Sequence, residues 1–334
     1  MYNLVIHMSS PKKHHFVPQV YLEHFENSSR QLYALKSSPH RNAPFVKPYT
    51  KAMICYQQDF YKVTDDNNIN EFKLNDPYII ERKLNKIFED SLGKLFKKLL
   101  SPLNVISFDD ASKLILSLLI IKQRNPVFRA HAADPQGVKD SFTRTLNKFL
   151  EFREELEDIL DKVGTMNVDQ FIDYGYKYMD EFVNDKETPK NLSNGMLLRT
   201  YLRTDTFLEE VATKMLSFEW YVYETTHRFP FITSDNPGFS VHEDNSIHNT
   251  GLDGIACFCF PLNPRNLFVI MCNHKEPPAS VKKIHHRVAD SKFVATTNRA
   301  TFAVSYSKIL SNSENALRVV WQDMCRFSPD LKSE

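Results

Sequence analysis

Glycine is scarce, at eight in 334 residues, and this leaves little material for a phosphate-cradling loop. The chain has no P-loop, no Gly-x-Gly-x-x-Gly turn, no Gly-x-Ser-x-Gly elbow, no His-Glu-x-x-His pair and no kinase motif set, which argues against the familiar NTPases, dinucleotide enzymes and hydrolases. The five cysteines (Cys55, Cys257, Cys259, Cys272, Cys325) are few and odd in number. Only Cys257 and Cys259 are close, and a single intervening residue puts both thiols on one face of a strand, a core-packing pattern rather than a zinc ribbon. A reducing compartment follows. An excess of one charge is also missing, since 42 Lys and Arg face 41 Asp and Glu. Any polyanion would therefore have to meet a local basic patch. No run approaches the roughly 20 apolar residues of a membrane span, and the start has no apolar leader core. The expectation is a soluble, cytoplasmic protein with no membrane partner.

What is present is enough to fill a large core, with 42% apolar residues and 12% aromatics. In the first third, Arg30 to Leu35, Ala43 to Tyr49 and Met53 to Val63 read as strands or extended ribbons, with a turn at Asp65 to Asn68. Ile80, Leu84, Ile87, Phe88, Leu92, Leu95, Phe96 and Leu99 recur every three or four residues, so one long helix is predicted from Tyr78 to Leu100. A second is predicted over Asp109 to Arg124, with Ala111, Leu114, Ile115, Leu118 and Leu119 inward. Further helices are expected to Ser217, interrupted by a loop at Pro189 to Gly195. From Phe218 the period changes to that of strands: Phe218 to Glu224, Phe229 to Thr233, Gly254 to Phe260, Asn266 to Cys272, Lys292 to Thr296 and Thr301 to Ser307, with a turn at Pro261 to Pro264 and a closing helix from Ser311 to Met324. The fold class is α+β: a helical middle section packed on a mostly antiparallel sheet built largely from the C-terminal third, with N-terminal ribbons flanking it. One domain covers residues 1–334, in sections 1–77, 78–217 and 218–334.

Polar residues interrupt this pattern at a few places. His14, His15 and Gln19 lie just before and inside a short amphipathic segment whose Val20, Tyr21, Leu22 and Phe25 share one face after Pro18. An imidazole can ligate a metal or pass a proton near neutral pH, whereas the structural alternative is that one ring packs and the other is solvated. Ser234, Asp235 and Asn236 follow an apolar strand and precede Pro237, where they either hold an ion or form an Asx or ST turn. Glu81 lies three residues before Leu84, so its carboxylate falls on the apolar stripe, with Glu89 at the margin. Buried carboxylates are rare unless paired, metal-bound or protonated. Gln123 leans inward from the second helix, beside Arg124 as a partner for a carboxylate or phosphate. Lys282-Lys283-Ile284-His285-His286-Arg287 is either a phosphate-facing patch or a solvated charged turn.

Taken in order, His14-His15-Phe16-Val17-Pro18-Gln19 with Tyr21-Leu22 and Phe25, Phe60-Tyr61, Ile80-Glu81 with Glu89, Gln123-Arg124-Asn125-Pro126, and Phe231 to Pro237 with Pro261 to Pro264 resemble the family catalogued as domain of unknown function 4238. The resemblance spans almost the whole chain. It implies that the early histidines, Gln19 and the Ser234 to Pro237 turn belong to one site, and it implies no activity. Asn125 stands where the family pattern has a threonine.

The residue types lead to an expected metal-dependent phosphodiester hydrolase, in narrower form a nuclease effector of defence against foreign nucleic acid. His14, His15, Glu81 and Asp235 would ligate a divalent metal ion, with His14, His15 and Asp235 also catalytic. Gln19, Gln123, Arg124, Ser234 and Asn236 would contact a nucleic acid or nucleotide. The alternatives are a non-catalytic nucleotide- or peptide-binding module and a structural subunit of a larger complex.

Overall fold

Trp220 and Val222 alternate with Tyr221 and Tyr223 along one segment, the pattern of a strand that buries two different faces. The computed structural model describes residues 13–37, 45–62, 76–84, 89–132, 134–164, 166–184, 207–226, 228–249, 255–275 and 280–327. Among these the strands are, in chain order, β1 Lys13–His15, β2 Leu32–Lys36, β3 Lys47–Tyr49, β4 Tyr56–Gln58, β5 Val105–Ser107, β6 Phe218–Glu224, β7 Thr233–Ser234, β8 Phe239–His242, β9 Ile247–His248, β10 Ile255–Asn263, β11 Asn266–Lys275, β12 Val281–Lys283, β13 His285–Val288 and β14 Lys308–Ser311. The largest sheet has the order β13-β6-β11-β10-β8-β9. Its pairings are antiparallel except for β13 with β6. The fold is α+β, with the main sheet drawn from the C-terminal third as expected.

The two faces of that sheet carry separate cores. Trp220, Val222, Phe258, Phe260, Phe268 and Ile270 pack with the Phe108–Gln123 helix and the N-terminal motif. Cys259, Leu267 and Val269 on the opposite face pack with Phe231, Val294 and Ala300. Fully burying one such side chain stabilises by about 1.5–3 kcal/mol relative to exposure. The N-terminal ribbons join smaller sheets: β1 pairs with β4, and a four-stranded sheet runs β3-β2-β14-β7, so the first third is stitched to the last.

The Phe108–Gln123 helix is built by clear local signals. The Ser107 side chain accepts from the Asp110 N–H at 3.2 Å as N-cap, and Asp109 and Asp110 complement the dipole in the first turn. Ala111, Leu114, Ile115 and Leu118 are buried. The helix stops because Pro126 opens the next one, Pro126–Ala132, where its missing N–H costs nothing. Asn125 caps that second helix, its Oδ1 accepting from the Val127 N–H at 2.9 Å, a task for which threonine is also suited.

Several local expectations are corrected. The long helix from Tyr78 is described as two, Ile79–Leu84 and Asp90–Leu99, with residues 85–88 outside the described set. The expected turns at residues 65–68 and 189–195 also fall outside it. Asp59, Phe60 and Tyr61 form a turn rather than a strand end, with Asp59 at φ +49°. β10 continues through Pro261 to Asn263, because Phe260 and Leu262 are buried, and the turn lies at Pro264 and Arg265. The two strands expected in 292–307 are one helix, Ser291–Val304. Their Thr, Val and Phe content looks strand-like, but the Asp290 side chain caps the N-terminus at the Phe293 N–H, and Val294, Thr297, Asn298, Thr301 and Phe302 are buried at helical spacing. The Lys282 to Arg287 cluster is no solvated turn: Lys282 is buried, donating to the Phe218 carbonyl, and His285–Val288 forms the parallel edge strand.

Candidate functional site

The C-terminal end of the Phe108–Gln123 helix is where the family-like motifs converge. Four consecutive residues, Lys122, Gln123, Arg124 and Asn125, are all buried, and three of them reach to different parts of the chain. Arg124 donates through Nη1 to Glu89 at 3.0 Å, through Nε to the Tyr61 hydroxyl at 3.3 Å, and through Nη2 to the His15 carbonyl. Asn125 donates through Nδ2 to the Asp235 carbonyl at 2.6 Å. Lys122 donates through Nζ to Asn236 Oδ1, the Gly238 carbonyl and Asn249 Oδ1 at 2.8, 2.7 and 2.5 Å.

On one side lies the N-terminal motif. His14 is held between aromatic rings, stacked on Tyr61 and edge-on to Tyr78 at centroid distances of 5.7 and 5.8 Å. Its Nδ1 accepts from the Tyr61 backbone N–H at 2.8 Å, so a neutral ring carries its proton on Nε2. Gln19 donates to His15 Nδ1 at 3.4 Å. Burial and then the Arg124 charge hold the His15 pKa down at about 4, so the ring is neutral at physiological pH. Glu81 is 5% exposed, as its helix spacing predicts. Burial raises its pKa to about 7, against the opposing pull of Arg124 and with a smaller push from Glu89. Its Oε2 makes no hydrogen bond. Burial likewise pushes the Tyr61 phenol up to about 12.

On the other side lies the strand end at Ser234. The Asp235 carboxylate accepts from the Tyr306 N–H at 2.9 Å, from the Ser307 N–H at 2.9 Å and from the Ser307 hydroxyl at 2.8 Å. Burial still raises its pKa despite these bonds. The Ser234 hydroxyl accepts from the Asn236 N–H at 3.1 Å, an ST turn. Asn236 donates through Nδ2 to Asn249 Oδ1 and to the Val304 carbonyl, both at 2.6 Å. Gly238 is obligatory here, for at φ +80° a Cβ would stand 2.5 Å from the Phe260 ring. Burial pushes the Lys122 pKa well below the usual range. Yet three acceptors around Nζ match the three protons of an ammonium and exceed the two of an amine.

The two motifs do approach one another. The Tyr21 hydroxyl donates to the Pro261 carbonyl at 2.9 Å and so accepts from Thr233 Oγ1 at 2.6 Å, which sets the opening helix beside the residue preceding Ser234. Asp235 spends its carboxylate on Tyr306 and Ser307, and His14 Nδ1 is committed to Tyr61. Among the described residues no three of His, Cys, Asp and Glu converge as metal ligands. Arg124, expected to meet a phosphate, is 1% exposed and pairs with Glu89 rather than Glu81. Gln123 is buried with Oε1 unpartnered. The residues that sequence reasoning missed are Lys122, Asn249, Tyr306 and Ser307. Lys122 had a signal, since it lies four residues after Leu118 and seven after Ile115 and so falls on the buried stripe.

The family described as "Protein of unknown function (DUF4238)" matches residues 13–315, and the chain belongs to it. No curated protein and no solved structure matches. Among the described residues no helix is long and apolar enough to cross a membrane.

Proposed function

We propose that this family member is a hydrolase of phosphodiesters, of the nuclease type, in which Glu81 moves the proton. One observation carries the reading: Glu81 is a desolvated carboxyl with a pKa of about 7, one of its oxygens makes no hydrogen bond, and the charges of Arg124 and Glu89 act on it. A group with that pKa exchanges protons at physiological pH in either direction, as a general base or acid requires. Arg124 is a positioning residue here, since it fixes Glu89 and the His15 backbone. An anionic substrate is supported by Lys13, an exposed cation next in the chain to His14. The second reading, a binding module without chemistry, draws its support from Arg124 and Asp235, whose polar groups are spent inside the protein.

The test is cleavage of single-stranded RNA, single- and double-stranded DNA and bis(p-nitrophenyl) phosphate by the purified full chain, with and without added divalent ions, beside Glu81→Gln. Cleavage that rises with pH through about 7 and falls at least ~100-fold in the variant supports the proposal. Absence of cleavage of every substrate, or an equally active variant, contradicts it and leaves the binding module.

A further inference from the structure

On the other flank of the molecule, the Ser291–Val304 and Glu314–Phe327 helices line a cleft of about 610 Å³ together with residues 228–230 and the turn at Pro264 and Arg265. The volume is that of a site for one small molecule. Its lining has two distinct characters. Phe229, Pro230, Pro264, Val294, Val319 and Val320 supply an apolar floor, and Phe229 and Val319 are 42% and 52% exposed there. Arg228, Arg265 and Arg326 supply three cations, brought together from three distant parts of a chain whose net charge is only +1. One carboxylate faces them, Asp323, and its charge is met by Arg299 at 2.9 Å. Arg265 has an exposed partner in Glu224, while Arg228 and Arg326 have no ion pair among the described residues.

The wall is rigid where it is buried. Asn298 accepts from the Ile232 N–H and donates to the Pro230 carbonyl, both at 3.0 Å, which fixes the loop against the helix. Asn315 and Gln322 line the same cleft as exposed amides. An apolar floor, cations and amide donors and acceptors together suit a ligand with a flat weakly polar body, hydrogen-bonding edges and negative charge at one end.

We propose that this cleft binds a nucleoside phosphate, with the base against Phe229, Pro264 and Val319, the base edges meeting Asn315 or Gln322, and the phosphates meeting Arg228 and Arg326. The site is separate from Glu81 and does not depend on the hydrolase reading. A phosphate alone would use only the arginines, which is how the two ligand sources are distinguished.

Isothermal titration of the full chain with the four common ribonucleoside triphosphates, their monophosphates and inorganic pyrophosphate tests the proposal. The expected result is saturable binding of at least one nucleotide, weakened at least ~10-fold in an Arg228→Gln/Arg326→Gln double variant and blocked by Ala316→Trp, which fills the cleft from a half-buried helix position. Circular dichroism and thermal unfolding confirm that both variants fold, and Arg228→Gln and Arg326→Gln singly serve if the double variant does not. Glu81→Gln should bind as the wild type. No binding of any nucleotide, equal binding of pyrophosphate, unchanged affinity in the arginine variants, or loss of binding in Glu81→Gln would each overturn it.

Discussion

The two sides of the Lys122 to Asn125 segment use the same kinds of residue to opposite ends. Around Lys122 and Asp235 the charged groups are matched: three acceptors for the ammonium, and two backbone N–H groups and a hydroxyl for the carboxylate. Around Glu81 the matching is incomplete, with Oε2 unbonded and the guanidinium that could have paired with it committed to Glu89. A completed network fixes a structure, and an incomplete one holds a titratable group away from its ordinary pKa. Under the proposed function, the Asn236 side is architecture and the Glu81 side is where a proton would move.

The sharpest way to break that contrast is Lys122→Met, which fills the volume and removes the donor. It leaves Asn236 Oδ1 and the Gly238 carbonyl without the lysine, while Asn249 Oδ1 keeps the Asn236 amide, and at about 1–3 kcal/mol for each of the two unsatisfied groups the loss should reach roughly 4 kcal/mol. Chemical denaturation reads it directly. A change below 1 kcal/mol would mean that the Asn236 side is not a completed network.

Asp235→Asn is milder, because one oxygen acceptor survives while the new amide faces N–H donors at Tyr306 and Ser307. A loss of about 2 kcal/mol is expected, with catalytic parameters unchanged once the folded fraction is accounted for. Loss of activity in a fully folded variant would move chemistry to the side here assigned to architecture.

His15→Gln should be the smallest effect near pH 7, at about 1 kcal/mol from lost ring packing. Its pH dependence carries more information. The His15 pKa falls from 6.5 to about 4 on folding, so between these values the unfolded state binds more protons and acid destabilises the wild type. The variant lacks this term, so the stability gap should close as pH drops below 6.5 and then reverse in favour of the variant toward pH 4, because about 1.4 kcal/mol per pH unit outweighs the gap at pH 7. A gap independent of pH would place the ring in solvent.

Much of the Glu81 side was legible in the sequence. Its position three residues before Leu84 puts a carboxylate on an apolar stripe, and it is buried. The same reasoning applies to Lys122, but the continuous apolar run Leu118 to Ile121 hides which face is inward, and the lysine reads as the end of the helix. Partners are another matter. Tyr21 and Thr233 are 212 residues apart, and the pairing of Arg124 with Glu89 is a tertiary contact that spacing along the chain does not give. The Ser291–Val304 helix was misread because its Thr, Val and Phe content suits a strand, and only the Asp290 cap and the burial spacing favour a helix. Residue types and family motifs indicate that polar groups converge, and the hydrogen bonds decide what each group has left to offer.

Titration of Glu81 near neutrality in the folded protein is read from the pH dependence of unfolding for the wild type against Glu81→Gln. A carboxyl raised from 4.5 to about 7 on folding keeps its proton in the native state while the unfolded chain releases it. Stability from this group is therefore fully present below pH 4.5 and is lost as pH rises to about 7. Glutamine, which cannot ionise, does not suffer that loss. The difference between the two proteins should be constant below pH 4.5, shift in favour of the variant by about 1.4 kcal/mol per pH unit up to pH 7, and level off above. Parallel curves across the whole range would show an ordinary carboxylate at Glu81 and contradict the account.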